Sequence, residues 1–514
     1  HALASAAIDN FKSGTEQAKR HLATVDARKL SPYQRSVYNR TTANIAMFEH
    51  NYAAAASAFT AADSYVLPQS NRAVLHQKLW LALSHMDDNA IALARRGSVG
   101  NDAGWLDLIA NSRANSHNSA ALASGIESWR GRNPEHPANI TLVEYLLEVS
   151  ESLSVTARHI ALLLPFHGRF ANEANAIRDG FLSAWYGSTA GTKRPVVSLY
   201  TVDTANVNEA YDLAVANGAD LIVGPLEKSV VEALTSRDEL AVRTLTLNVA
   251  NNLTPGSGAA ASAHLFQFGL IPGDEAAAAA IRLRSDGHLR VVVIGPETPW
   301  GERLTKRFNQ EWTNSGGIVL DQVRYGDGDN SYSRSVKEAL NIDLSEARVA
   351  ALRRALNRTI QFEPRRRTDL DAIFLAGFPV SARQILPQLR YFRAEDVPVY
   401  STSHAFTGSL NAAADQDLDG LYFGDMPWLL GAADSASFNL FRNNWPDRAA
   451  GAGRLFAFGL DAYRILPYLA RMRNQPSLRV PGTTGVLSMR HNGRIVRGIS
   501  WARFTRGQPN LLGP

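Results

Sequence analysis

The 514-residue chain contains no cysteine. Disulfides, thiolate metal sites and a cysteine nucleophile are therefore excluded within it. An oxidising compartment tolerates such a chain, because no free thiol can mispair. Long apolar runs are missing too: segments such as 160-IALLLPF-166 fall far short of the ~18 residues of a membrane span. Charge of one sign is scarce. The 53 basic and 48 acidic residues leave a net charge of +5, and without a long block of Lys or Arg no nucleic-acid partner is called for. The sequence lacks HExxH and a GxSxG nucleophile elbow, and it lacks the GxGxxG and GxxxxGK[ST] phosphate loops. His159, His167, His264, His288 and His404 share no ligand spacing, which points to surface or capped roles. No catalytic residue, metal or cofactor is assigned. The opening of a calcium loop does occur at 415-DQDLDG-420, but its twelfth position is Met426 where a bidentate Glu belongs. Asp415, Asp417 and Asp419 are expected in a solvated loop.

What is present is a folded chain of changing texture. Hydrophobic residues make up 45% and charged residues 20%, ordinary for globular proteins. At ~150 residues per domain the length suggests about three domains. Residues 1–155 are rich in Ala, Leu, Asn and Ser with helical periodicity. From residue 156 to 514 short apolar runs alternate with amphipathic segments: 159-HIALLLP-165, 196-VVSLYTVD-203, 220-DLIVGP-225, 242-VRTLTLNV-249, 290-RVVVIGP-296, 318-IVLDQVRYG-326, 372-AIFLAG-377 and 397-VPVYSTS-403. Strands buried on both faces read this way, so parallel α/β sheets are expected, and their number suggests two sheets.

In the first part Tyr52, Ala55, Phe59 and Ala62 recur at spacings of three, four and three, with Pro68 following. The pattern resembles the second helix of a tetratricopeptide repeat, and a weaker copy involves Trp105, Leu108, Ala121 and Pro134. A solenoid-like helical domain is expected over 1–155, an irregular bundle being the alternative. In the second part the loop 166–172 follows a strand and precedes a helix, the place where open α/β sheets bind ligands. Gly and Pro recur at later strand exits, at Gly224-Pro225, Gly295-Pro296 and Gly377 to Pro379. Between two strands lies an insertion, residues 341–371, with Val349, Leu352 and Leu356 on one side of a helix. It ends in Arg365, Arg366 and Arg367, candidates for an acidic partner surface or for a turn in which they pair with Asp369 and Asp371. The turn is favoured, because a strand starts immediately afterwards. Near the C-terminus 485-GVLSMRHNGRIVRGISWARFTRG-507 reads as a β-hairpin, with Asn492 and Gly493 supplying a type I′ turn.

The order of 162-LLLPFHGRFANEANAIRDGF-181, 222-IVGPLEKSVVEAL-234, 266-FQFGLIPGDEA-276, 292-VVIGPETPWGERL-304, 422-YFGDMPW-428 and 456-FAFGLDAYRIL-466 resembles a type I periplasmic-binding fold. That resemblance implies two lobes joined by three crossings, expected near Phe266–Pro272, Tyr400–His404 and Gly424–Trp428. With the helical part in front, 105-WLDLIA-110, 129-WRGRNPEHPAN-139 and 364-PRRRTDLDAIFLAG-377, the whole chain resembles the LppC/LpoA lipoprotein family. The resemblance implies a non-catalytic regulator that binds and activates a bifunctional peptidoglycan synthase, a class A penicillin-binding protein. It further implies a place on the periplasmic side of the outer membrane, through a lipid anchor upstream of His1. The alternative from the same fold is a receptor for an amino-acid-like solute of a transporter or sensor. The fold would then line its cleft with Phe166, His167, Gly168, Arg169, Asn248, Ala250, Asn251 and Trp300. Receptors of this kind commonly carry Ser and Thr where Asn and Ala dominate at 248–252.

Overall fold

The computed structural model describes residues 15–49, 51–65, 69–86, 88–115, 119–144, 146–147, 157–187, 194–250, 263–326, 332–431, 435–444, 451–475, 478–490 and 492–512. The chain forms two compact units. One comprises His1–Thr156, Ile465–Pro481 and Leu487–Arg494; the other comprises Ala157–Arg464, Gly482–Val486 and Ile495–Pro514.

The first unit contains successive helices Pro32–Phe48, Tyr52–Asp63, Gln69–His85, Asp88–Arg96, Gly100–Asn115 and Ser119–Arg132. Local chemistry starts them. Ser31 and Gln34 form a reciprocal capping box ahead of Pro32, satisfying amides that the first turn leaves unpaired. The Asn51 carboxamide accepts from Ala54 N at 3.2 Å to begin the next helix. Ala55, Phe59 and Ala62 are buried, as the repeat spacing predicts, while Pro68 lies outside the described residues. Trp105 and Leu108 of the weaker copy are buried as well. Trp105 meets the rings of His76 and His136 edge-on at 4.9 and 5.0 Å. Buried Arg113 donates to the carbonyls of Leu83, Ser84 and Met86 at 3.0, 3.1 and 2.6 Å, closing the orphan carbonyls at one helix end.

The strands are β1 (His159–Leu164), β2 (Val196–Thr201), β3 (Leu221–Val223), β4 (Arg243–Thr246), β5 (Leu265–Phe268), β6 (Arg290–Pro296), β7 (Ile318–Tyr325), β8 (Ala372–Leu375), β9 (Val399–Ser401), β10 (Leu421–Asp425), β11 (Val480–Pro481), β12 (Val486–Met489), β13 (Arg494–Gly498), β14 (Ser500–Thr505) and β15 (Gln508–Leu511). They make two sheets, of order β11-β12-β13-β5-β4-β3-β1-β2 and β15-β14-β10-β9-β8-β6-β7. Strands β1 to β5 run parallel in the first, and β6 to β10 run parallel in the second. Strands β14 and β15 are antiparallel additions. Ile160 to Leu164 in β1 and Val291 to Ile294 in β6 are all buried. Each Val, Leu or Ile among them contributes roughly 1.5–3 kcal/mol relative to an exposed one, which is why continuous apolar runs mark these strands.

Two helices on the first lobe meet at glycines. A Cβ on Gly180 of helix Ala171–Gly187 would lie 2.0 Å from Phe456 O, and one on Gly459 of helix Gly453–Arg464 would lie 2.1 Å from Ile177 O. The absent side chains let these backbones touch.

The structure departs from several sequence expectations. The chain crosses between lobes at Gly269–Ile271, after β5, and again after β10. The third crossing is at Ile499, between β13 and β14, and not at Tyr400–His404, because β9 and β10 are neighbours in one sheet. The hairpin of β12 and β13 is present, but Gly493 N donates to Arg490 O at 3.0 Å and Arg490 N to Arg494 O at 2.8 Å. Gly493, at φ 77°, therefore stands fourth in its turn, where type I′ needs it third. Asp415 is not solvated: it is buried, and Arg383 Nη2 donates to it at 2.7 Å. Asp371 pairs with Arg290 at 2.9 Å and not with the arginine run. Arg367 does take Asp369 at 2.8 Å, while Arg366 takes Asp396.

Candidate functional site

Both sheets reverse their strand order at an inner strand, β1 against β3 in one and β6 against β8 in the other, and loops at such switch points diverge to leave a crevice. The loop after β1 carries Phe166, His167, Gly168 and Arg169. Phe166 is half-buried with the Arg178 guanidinium 5.9 Å from its ring centre; the next three residues are exposed. Gly168 takes φ 80°, a left-handed turn that hands the chain to the following helix. Arg169 lies over the Phe170 ring at 5.3 Å. On the same sheet edge, after β4, the Asn248 carboxamide donates to Leu226 O at 3.1 Å and accepts from Val249 N at 2.9 Å. Ala250 is buried, and its N–H donates to Gln267 Oε1 at 2.9 Å. Asn251 lies outside the described residues.

Trp300 belongs to the other lobe. It sits in the first turn of helix Pro299–Asn314, which Thr298 caps by accepting from Gly301 N at 3.1 Å. Its ring stacks on Phe378, the residue before the helix that follows β8, with centroids 4.5 Å apart, and the His404 ring lies 5.2 Å away. Phe378 remains 49% exposed, so this rim presents an aromatic surface. Phe166 to Arg169, Asn248 and Ala250 thus share one sheet edge, and Trp300 lies on the other. Arg365, Arg366 and Arg367 belong to neither rim; they sit in the insertion between β7 and β8.

No local sequence signal marks the charged cluster that lies at the crossings. Glu275 is in the first turn of helix Pro272–Ser285, just past the first crossing. Asp425 ends β10 before the second. Arg497 precedes Gly498 and the third. Arg497 Nη2 donates to Glu275 Oε1 at 3.1 Å, and Ser403 donates to Oε2 through its hydroxyl at 2.7 Å and its N–H at 3.1 Å. His404 Nδ1 lies 3.8 Å from the same carboxylate. Arg454 binds Asp425 through Nε at 3.1 Å and donates to the carbonyls of Ser403 and Phe406 at 3.1 Å each. Burial by itself would raise the Glu275 carboxyl; the Arg497 and His404 charges, the Ser403 hydroxyl and Arg454 outweigh it and hold the group below its ordinary range. Burial pushes the His404 imidazole down, against the pull of Glu275. Nearby Asp461 is fully buried, and both Thr483 and Thr484 donate N–H and hydroxyl bonds to it, at 2.8, 2.8, 2.8 and 2.6 Å. Burial pushes its carboxyl up despite those bonds. These groups are held by each other and by backbone.

The family model described as "LppC putative lipoprotein" matches residues 1–507. The chain belongs to the LppC family. Among its relatives is a Vibrio antiquarius protein named penicillin-binding protein activator LpoA. It is 30% identical over 409 residues, covering 78% of this LppC-family chain and 66% of that protein. The chain therefore spans about two thirds of the length of that relative. A crystal form of Haemophilus influenzae LpoA aligns with TM-score 0.63 at 23% identity, covering 100% of this chain and 87% of that one. The Haemophilus influenzae LpoA (YraM) C-domain, described as a regulator of PBP1A, aligns at 0.53 and 22%, covering 69% of this chain and 100% of that one. At these identities the two structures establish the LppC-family fold: helices in front of a two-lobed periplasmic-binding-like body.

Proposed function

We propose that this chain is a non-catalytic regulator that binds and activates a penicillin-binding protein, a bifunctional class A peptidoglycan synthase. It acts from the periplasmic side of the outer membrane, held there by a lipid anchor upstream of His1. Residues 1–155 serve as a helical arm and residues 156–514 as the docking body. The observation that carries this reading is the extent of the family match, residues 1–507, which takes in the helical front together with the two-lobed body. The 30% identical relative is named a penicillin-binding protein activator. The rim chemistry supports docking over solute capture. The Asn248 carboxamide and the Ala250 N–H are engaged by neighbouring backbone and Gln267, and half-buried Trp300 stacks on Phe378 beside His404.

Activation then needs no bond chemistry in this protein. It requires tighter binding to the synthase's active conformer than to its resting one, and a coupling of ~1–3 kcal/mol corresponds to about 5–150-fold. The test is affinity. The whole chain should bind the purified synthase saturably, and a panel of amino acids and wall fragments should leave its melting temperature unchanged. A strong upward shift with one amino acid, together with no synthase binding, would make the solute receptor correct instead.

A further inference from the structure

The insertion between β7 and β8 carries helix Ile342–Leu356. Ile342, Ser345, Val349, Leu352 and Leu356 recur at spacings of three, four, three and four, which places them on one helix face. Only half of that face is covered. Ile342, Ser345 and Val349 are buried, with Ile342 part of the core beneath the second sheet. Leu352 and Leu356 are 51% and 57% exposed. Every residue from 350 to 359 is exposed. The helix therefore leaves the body after Val349 and carries its apolar stripe into solvent.

The projecting end is basic. At 100° per residue, Arg348 and Arg353 border the stripe on opposite sides; Arg354 lies on the opposite face, and Arg358 follows the helix end, where Asn357 takes φ 46°. Between residues 347 and 364 these four arginines face one carboxylate, Glu363, which Arg393 already binds. Glu346, before the projection, is bound by Lys337 at 2.8 Å. Arg353 and Arg354 donate to the carbonyls of Ile360 and Ala350, contacts that leave their charge uncompensated. The arginine run behind them differs: Arg366 and Arg367 are tied to Asp396 and Asp369.

We propose that Leu352 and Leu356, bordered by Arg348 and Arg353 on a projection that also carries Arg354 and Arg358, dock into an apolar groove rimmed by carboxylates on the synthase. The inference rests on the regulator reading above and moves the contact from the Arg365–Arg367 run to the exposed helix end. Charge complementarity demands an acidic rim. Two leucines one turn apart suit a helix lying in a groove. They offer little area for a lipid surface, where binding grows with buried apolar area.

The experiment measures binding of the whole chain to the purified synthase at low and high salt, with L352Q/L356Q and R348E/R353E as variants. These positions are exposed, so both variants should melt close to the parent. Removing the leucines should weaken binding by about tenfold or more, as truncation of interface anchors does. The charge-reversed pair should bind more weakly at low salt and lose most of the parent's salt dependence. If both variants bind within a factor of about two of the parent, against the tenfold expected of anchors, the proposal is overturned while the regulator reading stands. If the parent itself does not bind, the regulator reading fails first and the proposal with it. Phosphatidylglycerol vesicles provide the remaining arm: loss of vesicle binding in the variants, with synthase binding intact, would assign the helix end to a membrane and overturn the proposal.

Discussion

Replacing Glu275 by Ala would leave Arg497 with its charge buried and its carboxylate gone. The two side chains are 8% and 4% exposed, so solvent can do little to rescue the guanidinium. Breaking a buried pair by removing one partner costs about 3–5 kcal/mol. The α/β unit has more than 300 residues, and at ~2.1 cal/mol/K per residue its unfolding entropy is about 0.7 kcal/mol/K. E275A should therefore lower that unit's melting temperature by about 4–7 °C in calorimetry. The double variant E275M/R497M should recover most of the loss, because an apolar pair of similar volume is often neutral relative to a buried ion pair. A shift below about 1 °C for E275A, against that entropy scale, would refute the claim that this pair holds the crossings. A double variant no better than the worse single one would refute the claim that the loss comes from an uncompensated charge.

Other consequences follow from the packing and the buried acids. G180A or G459A should destabilise the α/β unit by about 1–3 kcal/mol or more in urea unfolding, since each Cβ meets backbone that can move only by separating two helices. D461N keeps the shape but sets an amide group against hydroxyl and N–H donors from Thr483 or Thr484; a loss of about 2–4 kcal/mol is expected, and unchanged stability would mean that the acid is already protonated and donating. Burial holds His136 and His404 below their ordinary value of 6.5. The unfolded chain takes up these protons first as pH falls, so the stability they contribute is complete above about 6.5 and declines below it. Glu275, held below 4.5, adds a second loss as pH falls below that value. Asp461, raised by burial, works in the opposite sense, so with D461N removing it, melting temperatures recorded from pH 8 to 4 should fall on the acid side, and a flat profile would contradict these environments.

Much of the fold could be read in advance because parallel sheets leave a strong trace. Strands such as Ile160–Leu164 and Val291–Ile294 are apolar at every position, since both faces are covered. The repeat helix was legible for a similar reason: Ala55, Phe59 and Ala62 are small and large in the order that close helix packing needs. The Tyr400–His404 segment misled because a strand exit looks the same whether the chain then crosses lobes or returns to its own sheet. The hinge cluster left no local trace at all. Glu275 finds Ser403 at a separation of 128 residues and Arg497 at 222, and only the strand order brings them together. Leu352 and Leu356 continued the periodicity of a buried face, so sequence alone could not tell that the body ends at Val349.

The central claim is tested most directly by titrating the whole chain into a glycan polymerisation and cross-linking assay of the cognate class A enzyme. The initial rate should rise and saturate with added chain, with no turnover of wall fragments by the chain alone. A rate that stays flat while binding is saturated, or wall-fragment cleavage by the chain without the enzyme, would contradict it.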